Sequence, residues 1–121
     1  MKRDWDLIRS ILLYIEEHDK LEGFDGADPD SALFKYHVRL LSESELVHGI
    51  GVITSIDDNP TTMIYSTPPI GLTWAGHDFI DSARDDDRWK KAKEQIAGAG
   101  GGLTLAVLRS FLTKLLTEAI F

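Results

Sequence analysis

Residues 31–47 read SALFKYHVRLLSESELV and residues 72–81 read LTWAGHDFID, with two segments rich in β-branched residues between them. In the first stretch Phe34, Val38 and Leu41 recur at i, i+4 and i+7, and Leu33, His37 and Leu40 widen the same stripe, the spacing of an amphipathic helix. Lys35, Arg39 and Ser42 fall on the opposite side, which makes it the candidate reading face. Asp30 or Ser31 stands where an N-cap is needed. A break across residues 42–45 turns Leu46 and Val47 back under the core.

Working outward, residues 49–56 (GIGVITSI) and 61–67 (TTMIYST) read as strands, and Asp57-Asp58-Asn59-Pro60 between them is a turn signal. Proline cannot donate to a ladder, so Pro68-Pro69 interrupts pairing, and residues 70–72 can resume an edge strand. Thr73 is placed to cap a helix through Ala83 whose apolar side carries Trp74, His77, Phe79 and Ile80. Upstream, Asp4 caps a helix with Trp5, Ile8, Ile11, Leu12 and Ile15 on one stripe. Residues 19–30 hold Gly23, Gly26 and Pro29 among five acids and read as a loop, with room for a short strand at 21–24. Helix, helix, hairpin, helix is the order of a winged-helix motif. The fold class expected is therefore α+β, mainly α, with a two- or three-stranded β-hairpin wing and a C-terminal helix.

Beyond the wing, Asp85-Asp86-Asp87 suits the positive end of a helix running through Ile96, and Arg88 to Lys93 follow. Residues 97–102 (AGAGGG) read as a linker. After Thr104, a potential cap, Leu105, Leu108, Phe111, Leu112, Leu115 and Leu116 line one broad face of a last helix. These six are the candidate oligomerisation residues. The organisation expected is a winged-helix-like domain over 1–96, a glycine-rich linker over 97–102 and an amphipathic helix over 103–121.

The chain has 121 residues, enough for a core without staples, and no cysteine, which excludes disulfides and thiolate metal sites and suits a reducing compartment. MKRDWD turns acidic at once, unlike a signal peptide, and no apolar run reaches the roughly 20 residues of a membrane span. A soluble protein of the cytoplasm is expected. The formal charge is −7, with six Lys/Arg against eleven Asp/Glu in residues 1–48 and seven against nine in 49–121. Neither half is a nucleic-acid surface by composition.

Catalytic signatures are missing. His18, His37, His48 and His77 lack metal-ligand spacing, and His37 and His77 are better read as residues at the edge of the core bonded to backbone or to Asp78. Neighbouring helical residues point about 100° apart, so Asp85 to Asp87 do not converge on a cation. The glycine run lacks the Lys and Ser/Thr of a phosphate loop, and no nucleophile elbow is present. No enzyme activity, cofactor or metal is expected.

The strings KRDWDLIRSILLYIEE, FKYHVRLLSESELV and LTWAGHDFIDSARDDDRWKKAKEQI, with the glycine-linked terminal helix, resemble the phage and prophage family known as domain of unknown function 2513. The strings span most of the chain, and LTWAGHDFID followed by ARDDDRW is more specific than helix periodicity requires. The resemblance implies a winged-helix-like fold and a mobile-element origin, and no catalytic residues. Related chains usually carry a glycine before the Leu-Val pair, where this chain has Glu45.

Winged helices commonly read DNA with the second helix of the motif, and phosphate contacts need cations. Here Lys35 and Arg39 are balanced by Glu43 and Glu45, residues 49–72 contain no Lys or Arg, and Asp57 and Asp58 occupy the wing tip. Lys35, Arg39, Asp57 and Asp58 are thus the candidate partner-binding residues. The partner expected is a host or phage protein, with antagonism of a host defence or nucleic-acid-binding factor as one role. DNA is disfavoured by charge, a membrane is excluded, and a homodimer through the terminal helix is open. A dimeric DNA-binding regulator and a phage structural or assembly accessory are the alternatives.

Overall fold

The computed structural model describes residues 1–55, 62–98 and 104–120. It is mixed α+β and mainly helical. In chain order come α1 (Trp5–His18), α2 (Ala32–Glu43), β1 (Val47–Thr54), β2 (Thr62–Leu72), α3 (Trp74–Ala83), α4 (Asp86–Gly98) and α5 (Leu105–Ile120). The chain divides into two compact units, residues 1–77 and 78–121, and the division falls inside α3. The anticipated linker at 97–102 does not mark that division. Residues 97 and 98 end α4, and the remainder lies outside the described residues.

In the first unit, Asp4 caps α1 by accepting from the amides of Asp6 and Leu7 at 3.0 and 3.2 Å. Its expected stripe is the core: Ile11, Leu12 and Ile15 have no exposure. Ser31 is the cap of α2, accepting from Phe34 N at 3.1 Å while its hydroxyl donates to the Asp28 carbonyl at 2.6 Å. Phe34, Val38 and Leu41 are buried with the α1 stripe, whereas Leu33, assigned to that stripe by spacing, is 41% exposed. Between the helices, Phe24 stacks on Phe34 at 5.8 Å and meets Tyr14 edge-on at 5.6 Å. No strand forms at 21–24. Gly23 takes a φ of 91° and Phe24 N bonds back to the Leu21 carbonyl, so this segment is a turn pinned by two buried side chains.

The sheet has two strands. Antiparallel pairing runs from Thr54↔Thr62 to Ile50↔Ser66 and resumes at His48↔Gly71 and Val47↔Leu72. At the break one residue of β1, Gly49, faces residues 67–70 of β2, so Pro68 and Pro69 sit where no ladder bond is required. Gly49 has a φ of 85°, and a Cβ there would lie 2.4 Å from the Pro69 carbonyl oxygen. Glycine is the residue this crossing admits.

The second unit contains α4 and α5, which pack on each other. Asp85 accepts from Arg88 N at 2.8 Å, and Asp86 and Asp87 occupy the first turn of α4, so the aspartate triplet is a helix start. Phe79 meets Trp89 edge-on at 6.1 Å. Thr104 caps α5 by accepting from Val107 N at 3.2 Å.

Candidate functional site

Three local arrangements hold the candidate site residues and their surroundings. The first is the junction between α2, β1 and α3. Ser44 ends α2 and its hydroxyl accepts from Leu46 N at 3.2 Å, while Glu45 stands in the left-handed region at φ 64°. Thr73 then ties the far side of the hairpin to this turn. Its hydroxyl donates to the Glu45 carbonyl at 2.6 Å and accepts from Gly76 N at 3.1 Å, and its amide bonds the Leu46 carbonyl at 3.0 Å. A Cβ on Gly76 would come within 2.0 Å of that same carbonyl oxygen. The string LTWAG therefore encodes a cap and a close backbone approach at the root of the hairpin. Trp74, within it, is 85% exposed and His77 is exposed, which corrects their assignment to the apolar side of α3. The cap fixes the entry of the helix and turns both side chains outward.

The second arrangement is the outer side of α2. Lys35 and Arg39 share a cleft of about 470 Å³ with Met1, Asp30, Ala32, Tyr36 and Thr62. Lys35 is half-buried, and Arg39 is exposed with its Nε 3.4 Å from Glu43 Oε1, a surface pair that contributes little stability. Asp57 and Asp58 lie outside the described residues. His37, on the inner side, is fully buried, with Nε2 accepting from Asp4 N at 2.7 Å and Nδ1 donating to the Leu33 carbonyl at 2.8 Å. Both ring nitrogens are spent on joining the start of α1 to α2, as expected of a core histidine bonded to backbone.

The third arrangement was not anticipated. On the hairpin, Ile53 pairs directly with Met63, and Gly51 pairs with Tyr65, so these four side-chain positions share one face. Ile53 is 59% exposed, Met63 64% and Tyr65 46%, and the Tyr65 ring lies over Gly51. The alternation in TTMIYST was the available signal. It sets Met63 and Tyr65 opposite Ile64, and a two-stranded sheet covered on one side leaves the other side bare.

The six α5 positions separate into two sets. Leu108 and Leu112 have no exposure and belong to the interior of the second unit, while Leu105, Phe111, Leu115 and Leu116 are half-buried. Among the described residues no three His, Asp or Glu side chains are grouped as metal ligands would be, and no helix is long and apolar enough to cross a membrane.

These features define a mainly helical α+β protein with an exposed apolar row on the hairpin and an exposed outer side of α2. The chain matches the model of the family described as "Hypothetical protein (DUF2513)" over residues 2–102, and it belongs to that family. It is also 30% identical to an uncharacterized protein of Haemophilus influenzae over 126 aligned residues, covering 99% of each chain. No solved structure matches the chain significantly.

Proposed function

We propose that the chain is a non-enzymatic interaction module of phage or prophage origin that works in the bacterial cytoplasm through protein contacts. In this reading α2, the hairpin and α3 act as a winged-helix-like unit put to use against protein rather than DNA. One observation carries it: residues 40–77, which supply the end of α2, both strands and the first turn of α3, contain Glu43, Glu45, Asp57 and Asp58 and no Lys or Arg. DNA affinity rests on neutralising phosphates, and this stretch supplies no cation to do so, while Arg39 of α2 is paired with Glu43. An acidic module of this kind suits occupation of the basic face of a host nucleic-acid-binding or defence factor, where complementary charge speeds encounter and selects the partner.

A second reading has its own support. Lys35 and Arg39 line one cleft on α2, and a two-fold dimer would double them, giving a small DNA-binding regulator. Affinity capture from nuclease-treated host lysate, with the intact chain as bait, separates the two. The protein-contact reading expects a basic host protein to be retained after nuclease treatment. Loss of every specific partner on nuclease treatment would favour the regulator.

A further inference from the structure

We infer that the cleft on the outer side of α2, lined by Lys35, Tyr36 and Arg39, binds a small organic phosphate, with the phosphate held by the two cations and the organic part set against the Tyr36 ring. This ligand site goes beyond the protein-contact reading, because it neither needs nor excludes a protein partner.

Lys35 and Arg39 are four residues apart on α2, so one turn of helix brings both cations to the same side. Both line the cleft of about 470 Å³, a volume within the range of small-molecule sites. Their donors are open to a ligand. The Lys35 side chain is half-buried, and among the described residues its ammonium makes no hydrogen bond or ion pair. A cation withdrawn from water without a counter-charge is unfavourable, and a bound anion supplies one. Arg39 meets Glu43 only through Nε, at 3.4 Å, which leaves the two terminal nitrogens of the guanidinium to a ligand. Tyr36 is half-buried and stands edge-on to His37 at 5.4 Å. That histidine is itself locked between Asp4 N and the Leu33 carbonyl, so the tyrosine ring is placed before any ligand arrives.

The lining selects the ligand. A phosphomonoester carries about −1.5 to −2 charge at neutral pH and offers three oxygens, whereas a carboxylate carries a single charge on two. An ammonium, the end of a guanidinium and the hydroxyls of Tyr36 and Thr62 suit the larger set of acceptors. Duplex DNA is disfavoured by number, since its affinity grows with the phosphates neutralised, the cleft has two cations and residues 40–77 add none. Asp30 is the one acid among the described residues of the lining. It opposes an extended polyanion and can accept from a hydroxyl or amino group on the organic part.

The test is titration of the isotope-labelled intact chain with adenosine monophosphate, adenosine, inorganic phosphate and benzoate. Adenosine monophosphate should shift amides of residues 30–39 and 62–63 saturably, at about millimolar concentration or below. Inorganic phosphate should shift the same amides with several-fold lower affinity, and adenosine and benzoate should bind at least about tenfold more weakly than the monophosphate. Lys35→Ala with Arg39→Ala should lose at least about tenfold, since it removes both charge-assisted contacts. Tyr36→Leu should narrow the gap between the monophosphate and inorganic phosphate, and Lys114→Ala, at an exposed cation on α5, should bind as the wild type does. The amide spectrum of each variant reports whether it is folded, and the single variant Lys35→Ala serves if the double one is not. The site is overturned by absence of binding, by shifts outside the cleft, or by unchanged affinity in a folded double variant. Adenosine, benzoate or inorganic phosphate binding as tightly as the monophosphate overturns the ligand class. A short DNA duplex that binds through the same amides more tightly than the monophosphate at physiological salt also overturns it, and makes the cleft part of a nucleic-acid face.

Discussion

Glu45 is the residue at which local preference and fold disagree. Its φ of 64° lies in the left-handed region, which costs a non-glycine residue about 1–2 kcal/mol. Glu45→Gly should raise stability by about 0.5–1 kcal/mol in a urea titration, because relief of strain exceeds the extra freedom glycine gains in the unfolded chain. A loss of stability would mean that the glutamate side chain contributes more than the strain it accepts. Thr73 is the complementary case. Thr73→Ala removes both the helix cap and the donor to the Glu45 carbonyl and should cost about 1–2 kcal/mol, while Thr73→Ser should retain most of it. If serine fails as alanine does, the methyl group and not the hydroxyl secures the junction. The cap at Thr73 was legible from its place before an apolar-periodic run. The role of Gly76 was not, because the Leu46 carbonyl that it admits is thirty residues away in sequence and only the closed hairpin brings them together.

At the scale of elements, periodicity located all five helices and both strands, since each has one buried side and the stripe repeats often enough to count. It misplaced side chains where the number of neighbours decides. Leu33 and Trp74 satisfy helical spacing yet are 41% and 85% exposed, whereas Phe34, next to Leu33, is buried. Leu41, 3% exposed, does meet the requirement for a shared core, and Leu41→Ala should lower unfolding free energy by about 2–5 kcal/mol. On α5 the same reasoning separates stability from assembly. Leu108→Ala should destabilise the second unit by about 2–5 kcal/mol in denaturant, because the residue has no exposure. A homodimer through α5 would have to use the half-buried Leu105, Phe111, Leu115 and Leu116. Light scattering on Leu115→Asp with Leu116→Asp is therefore the informative comparison, and a cost from Leu108→Ala below about 1 kcal/mol would show that α5 is not packed as described.

For the whole molecule, composition carried the functional argument further than any motif did. The absence of Lys and Arg from residue 40 to 77 is visible in the sequence, and in the proposed reading it sets the hairpin apart from a DNA-reading wing. The apolar row on the hairpin was only half legible, because alternation assigns Met63 and Tyr65 to one face but neither strand's pattern alone fixes the register that sets Ile53 beside Met63. If protein contacts through an acidic surface are the working mode, Asp57→Asn with Asp58→Asn should slow association with a basic partner several-fold and leave dissociation nearly unchanged. The most direct measurement is binding of the intact chain to genomic DNA fragments across a salt titration. The account predicts weak, sequence-independent binding that is absent at physiological salt. A sequence-specific complex with a steep salt slope, abolished by Lys35→Ala and Arg39→Ala, would contradict it.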